Sequence, residues 1–218
     1  MEQPDIQILL VDHQELVRVG LQRLLDEELQ LSVVGEASSG EEAVRLARSL
    51  KPDVVLMDVH IPGIGGLEAT RRILRHEPDI RILIVTPQTD EAFPVQLLEA
   101  GAAGYLTKSC GVEEIADAVQ TVTRGERYIS ADIARQMALS MLPGKDRSPF
   151  DRLSRRELQV MLMVAQGQNV HEISEHLCLS SKTVSTYRYR LFDKLGVDND
   201  VELARLALRY GIVGLAKE

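Results

Sequence analysis

The chain has 218 residues, 44% of them apolar, and a formal net charge of −8, enough for one large domain or two small ones with packed cores. No apolar run approaches the roughly 18 residues of a membrane span, and the opening MEQPDIQ lacks the basic and apolar regions of a signal peptide, so a cytosolic protein with no membrane partner is expected. Cys110 and Cys178 stand far apart, without a CxxC or Cys/His ligand spacing, which disfavours a disulfide framework or a cysteine metal site.

The charge is uneven. Residues 1–148 hold 15 Lys/Arg against 24 Asp/Glu, a balance of −9, whereas residues 149–218 hold 10 against 9, a balance of +1. An acidic part joined to a nearly neutral one suits a regulatory module fused to something that approaches phosphate.

From residue 6 to 124, apolar strand-like runs alternate with amphipathic helical windows, the mark of successive βα units around a parallel sheet. Strands are expected at IQILLV (6–11), LSVVGEA (31–37), DVVLM (53–57), RILIVT (81–86) and GYLTK (104–108). In the first helical window Leu16, Val17, Gly20, Leu21, Leu24 and Leu25 recur at helical spacing, giving one face to lay on the sheet. The expected fold is therefore α/β, a doubly wound five-stranded parallel sheet over residues 1–126.

Residues 125–142 read as a short strand or loop and then a helix, ADIARQMALSML, and the tract PGKDRSPF breaks all periodicity. Residues 127–148 are thus a linker with a helix. Beyond it, SRRELQVMLMVAQG, VHEISEHL, SKTVSTYRYRLFDKLG and DVELARLALRYG are four helical windows with no strand signal, an all-α four-helix domain over 149–218.

Side chains just past different strands of a parallel sheet converge on one patch. Four strand ends here carry reactive groups: Asp12 with His13, Asp58 after VVLM, Thr86 after ILIV and Lys108 after GYLT. Each has a task in phosphoryl transfer to a carboxylate. Asp58 is the candidate nucleophile, Asp12 a ligand for a divalent cation, Lys108 a partner for the acyl phosphate and the Thr86 hydroxyl a hydrogen-bond donor to it. Singly, each residue has a plainer explanation: a helix cap, a turn threonine, a solvated lysine.

In SKTVSTYRYRLFDKLG, Val184, Tyr187, Leu191 and Leu195 fall on one side of a helix. Lys182, Thr186, Tyr189 and Asp193 fall on the other, with Ser185 and Arg190 at its edges. With VHEISEHL before it, the pair reads as a helix-turn-helix whose second helix is the reader; an ordinary bundle with a solvated face is the alternative.

The stretches LLVDHQELVR, VVLMDVHIPGIGGLEA, ILIVT and AGAAGYLTKS resemble the flavodoxin-like receiver domain of two-component response regulators. Residues 153–197, with L-S-x-R-E, E-I-S-x-x-L, T-V and K-L-G-V, resemble the LuxR-type DNA-binding domain of NarL/FixJ regulators, and SKTVSTYRYR, GIGGLEATR, RYIS and DVEL look most like the GacA/UvrY branch. The resemblance implies that Asp58 accepts a phosphoryl group from a sensor histidine kinase and that Thr86 and Tyr105 form a switch pair, Tyr105 turning inward on phosphorylation. It implies a homodimer on double-stranded DNA, controlling transcription and not acting as an enzyme. Ser185, Thr186 and Tyr189 would meet base edges, and Lys182, Arg188 and Arg190 phosphates; the helical wheel places Arg188 near the packed side.

The receiver pattern usually has two consecutive acids after the first strand, the second a direct Mg²⁺ ligand. This chain has Asp12-His13. Imidazole suits Mn²⁺ or Zn²⁺ better than Mg²⁺, so Mg²⁺ is the expected ion, with weakened binding and slower phosphorylation, and Mn²⁺ is the alternative. Two readings stay open: phosphorylation with Asp12, Asp58 and the backbone carbonyl of His60 around the ion, with or without His13, or a receiver that regulates the DNA-binding domain without phosphate.

Overall fold

The computed structural model describes residues 5–26, 31–86, 94–140 and 149–210. They divide into two compact units, the first running to Met137.

In the first unit, β1 (Ile6–Val11), β2 (Leu31–Ala37), β3 (Val54–Met57), β4 (Arg81–Thr86), β5 (Gly104–Thr107) and β6 (Tyr128–Ile129) form one sheet in the order β2-β1-β3-β4-β5-β6. Every pairing is parallel, which explains why Val54–Met57 and Ile82–Thr86 are buried at every residue, on both faces. Helices α1 (Glu15–Asp26), α2 (Gly40–Leu50), α3 (Gly65–His76), α4 (Pro94–Glu99), α5 (Val112–Thr123) and α6 (Ala131–Ser140) follow successive strands. On one side of the sheet Ile8, Leu10, Val54, Leu56, Leu83 and Val85 pack with Leu25 of α1 and Ile115, Val119 and Val122 of α5.

Two expectations need correction. The sheet has six strands, not five: Tyr128 donates its amide to the Ala103 carbonyl (3.2 Å) and Ser130 to that of Tyr105 (3.0 Å). Two residues are too few to show an alternating pattern, so the sequence leaves β6 indistinct. On α1 the apolar residues do not all face the sheet. Leu25 is fully buried and Leu21 packs against the core, but Leu16 is 85% exposed, Leu24 is 45% exposed and Gly20 is exposed. Leu16 lies about 140° around the helix from Leu21, beyond what one sheet face covers.

The strand order positions the site. Because β1 lies between β2 and β3, its carboxyl end is a topological switch point, where the connections diverge and leave a crevice. Val11 is in register with Met57, and Thr86 with Thr107, so Asp12 and Asp58 leave the sheet side by side, as do Thr86 and Lys108.

The second unit holds a short 3-10 turn (Pro149–Arg152) and four helices, α7 (Arg155–Ala165), α8 (Val170–Leu177), α9 (Ser181–Leu195) and α10 (Asp200–Arg209). Each starts where the sequence supplies a cap: Ser154 with Glu157 and Asn169 with Glu172 form capping boxes, and Ser180 and Asn199 accept from the first-turn amides of α9 and α10. Residues 143–148 of the expected linker tract lie outside the described residues. Its last residue, Phe150, is fully buried and meets the Tyr210 ring edge-on at 5.4 Å, so the tract ends inside this core.

Candidate functional site

Asp58 is 2% exposed and Asp12 4% exposed at the carboxyl end of the sheet. Their placement is fixed by backbone bonds, with the Asp58 amide donating to the Val11 carbonyl (2.8 Å) and the Asp12 amide to that of Ala37 (3.1 Å). Lys108 Nζ donates to Asp12 Oδ2 (2.5 Å) and to Asp58 Oδ2 (3.0 Å), so one ammonium joins carboxylates from two strands. His13 Nδ1 stands 3.7 Å from Asp12 Oδ1 and 3.5 Å from Asp58 Oδ2, with its side chain 42% exposed. The other oxygen of each carboxylate accepts from a backbone amide: Asp12 Oδ1 from Gln14 (2.8 Å) and Asp58 Oδ1 from His60 (3.2 Å). Burying two carboxylates unpaired would be costly, and this pairing is what makes it tolerable.

The charges respond to that arrangement. Burial pushes the Asp58 carboxyl up, but hydrogen bonding from His13 and the positive charge of Lys108, followed by His60, outweigh it and hold the group below the ordinary carboxylate range. Burial pushes Lys108 down, yet Asp58 and then Asp12 more than offset this and raise it. Asp58 is thus held ionised beside a fixed cation.

Thr86 is fully buried at the end of β4, and its carbonyl accepts from the Lys108 amide at 2.7 Å. Tyr105, on β5 one strand over, is also fully buried. His60 meets Asp58 through its N–H, and the side chains of Asp12, His13 and Asp58 each offer a ligand atom, all within 4.8 Å of one another.

In the second unit, Lys182, Ser185, Thr186, Tyr189 and Arg190 are all exposed on α9, Tyr189 by 78%, while Val184 and Leu191 are fully buried on its far side. Among the described residues no ion pair holds Lys182 or Arg190. Arg188 differs. Its Nε and a terminal nitrogen reach the two carboxylate oxygens of Asp200 at 2.8 and 2.5 Å, and its guanidinium lies 5.3 Å from the Phe192 ring centre. That residue is engaged at the first turn of α10 and does not stand free with the other cations.

The pattern of the response regulator receiver domain matches residues 8–120, and that of the bacterial regulatory proteins of the luxR family matches residues 151–207. The chain is 55% identical to the response regulator GacA of Pseudomonas aeruginosa over 97% of its own length and 99% of that protein's. It is 53% identical to the response regulator UvrY of Escherichia coli over 95% of each. The chain belongs to the two-component response regulators with a LuxR-type carboxyl-terminal domain. The RcsB response regulator of Salmonella typhimurium has the same fold, with a TM-score of 0.75 at 23% identity over 95% of this chain and 99% of that one.

Several residues that support this response regulator's site have no clear sequence signal. Arg18, one turn into α1, donates to the Asp12 carbonyl (2.8 Å) and pairs with Glu36 (2.8 Å), holding the turn between β1 and α1. Asp200 is unremarkable in the sequence, although the nearly packed wheel position of Arg188 hints at a partner. Lys194 pairs with buried Glu157 at 2.6 Å and ties α9 to α7; burial pushes Glu157 up, but Lys194 and the Ser154 cap hold it below the usual range.

Proposed function

We propose that a sensor histidine kinase transfers a phosphoryl group to Asp58, and that this controls binding of a homodimer to specific double-stranded DNA and hence transcription in the cytoplasm. A receiver whose sheet includes β6 (Tyr128–Ile129), a connecting segment ending at residue 148 and a DNA-binding domain over 149–218 divide the work. The observation that carries the reading is the pair of buried carboxylates joined by Lys108. An Asp58 oxygen attacks phosphorus, the bond from phosphorus to the kinase histidine breaks, and an acyl phosphate forms. Lys108 neutralises the new anion, and Thr86 and Tyr105 form the switch pair beside it. The protein is a regulator and not an enzyme acting on an external substrate.

The ligand set suits a divalent cation that accepts nitrogen: Asp12, His13 and Asp58, with the His60 carbonyl, would hold it, Mn²⁺ in preference to Mg²⁺. When bound it would neutralise phosphoryl oxygens. Lys182, Ser185, Thr186, Tyr189 and Arg190 carry the proposed DNA contact, cations at phosphates and the others at base edges. Among the described residues no helix is long and apolar enough to cross a membrane.

A second reading, a receiver acting without phosphate, is favoured by His13, which stands beside Asp12 and Asp58 where a further carboxylate would favour a hard cation. Acetyl phosphate with Mg²⁺ or Mn²⁺, followed by intact-mass measurement, separates the two. A gain of one phosphoryl group supports the first reading. No gain in the natural chain, with a gain restored by His13→Asp, supports the second.

A further inference from the structure

Two hydroxyls on the exposed face of α9 already have their protons engaged. Ser185 Oγ donates to the Ser181 carbonyl at 2.9 Å, and Thr186 Oγ1 donates to the Lys182 carbonyl at 2.9 Å. The direction is not open to choice, because a carbonyl oxygen has no proton to give. Each hydroxyl is therefore satisfied within its own helix, one turn back. What it still offers to solvent is lone pairs alone. Tyr189, exposed on the same face, makes no such internal bond among the described residues, so its hydroxyl can donate or accept.

We infer that Ser185 and Thr186 are specificity-determining residues that read DNA only as hydrogen-bond acceptors, selecting the exocyclic amino groups of adenine or cytosine in the major groove. The inference rests on the proposal that α9 is the reader helix. Base edges in the major groove offer two kinds of polar group: acceptors at purine N7, guanine O6 and thymine O4, and donors at adenine N6 and cytosine N4. An acceptor-only side chain cannot bond the first kind, and placing it opposite one brings two lone pairs together with no proton between them. To meet guanine or N7, the hydroxyl would have to break its bond to the helix carbonyl, at a cost comparable to the strength of the new hydrogen bond. Arginine and lysine readers, which are donors only, make the opposite selection. At this end of the helix the cation on the exposed face, Lys182, is then left for phosphate, fixing register without reading sequence.

The test uses the full-length chain and a duplex fragment selected with it from random DNA. The fragment is remade with amino groups deleted one at a time, purine for adenine and 2-pyrimidinone for cytosine, and separately with N7 deleted by 7-deazapurines. Amino deletion at one or two positions per half-site is expected to weaken binding of the natural chain about fivefold to tenfold. At those positions Ser185→Ala or Thr186→Val should bind the intact and deleted fragments equally. Coupling of either substitution to N7 deletion, or to no amino deletion at all, overturns the inference. The underlying reading is checked separately: if Lys182→Ala and Arg190→Ala leave the salt dependence of binding unchanged, α9 is not the reader.

Discussion

The imidazole Nδ1 of His13 stands 3.5 Å from Oδ2 of Asp58. A nitrogen donor thus occupies a place where a carboxylate would favour a hard cation, and the change alters both the charge and the softness of the site. Replacing His13 by Asp is expected to strengthen Mg²⁺ binding by at least roughly tenfold and to speed phosphorylation by acetyl phosphate, while narrowing the advantage of Mn²⁺. Calorimetric titration with each ion and timed intact-mass measurement check this. Equal Mg²⁺ affinity in both proteins would show that His13 does not set the metal preference.

Lys108 should matter for stability as well as for chemistry, because two buried carboxylates depend on it. Asp58 is depressed in the folded chain, so its contribution is present above the unfolded value of about 3.9 and is lost as pH falls through the lower folded value. Lys108 is raised, so its contribution is present below about 10.4 and is lost only as pH rises past that, through its folded value. Lys108→Ala is therefore expected to cost about 3 kcal/mol at neutral pH, with the gap from the natural chain closing as pH falls through the lowered folded value of Asp58. Urea denaturation at neutral and at acid pH measures it.

Gly66, at the start of α3, packs against the segment carrying Asp58. A Cβ there would come within 2.4 Å of the Asp58 carbonyl and 2.8 Å of the Val59 Cα, both backbone atoms that cannot swing aside. Gly66→Ala is expected to destabilise the first unit by about 1–3 kcal/mol and to slow phosphorylation by displacing Asp58. Unchanged melting with an unchanged phosphorylation rate would contradict this.

How much of this is legible in the sequence follows from what the signals are made of. Asp12, Asp58, Thr86 and Lys108 can be placed together because each ends an apolar run, and a parallel sheet collects such ends. The pairing of Lys108 with both acids cannot be read, since it depends on strand register and rotamer. Spacing alone puts Leu16 on the packed face of α1; it shows an apolar residue but not whether the sheet reaches around to it. Composition groups Arg188 with the cations of α9, whereas its bond to Asp200 joins two helices and leaves no local mark. Phe150 sits in a Pro-rich tract that reads as linker, yet its partner Tyr210 is far along the chain.

Three of the four cations on α9 should separate in salt titrations. Lys182→Ala and Arg190→Ala are each expected to lower the slope of log affinity against log salt by about one. Arg188→Ala should leave the slope nearly unchanged and instead lower thermal stability, as Asp200→Asn also should, with the double substitution less than additive by about 1 kcal/mol. A slope change at Arg188 equal to that at Lys182 would mean that it leaves Asp200 for phosphate.

Charge gained at Asp58 should govern how α9 meets DNA. The affinity of the purified chain for a selected duplex fragment, before and after treatment with acetyl phosphate and Mn²⁺, in the natural protein and in Asp58→Asn, measures this. The predicted result is a rise in affinity of about tenfold or more that follows the mass increase and is absent in Asp58→Asn. Salt-sensitive binding of equal strength in the phosphorylated and unphosphorylated protein would contradict it.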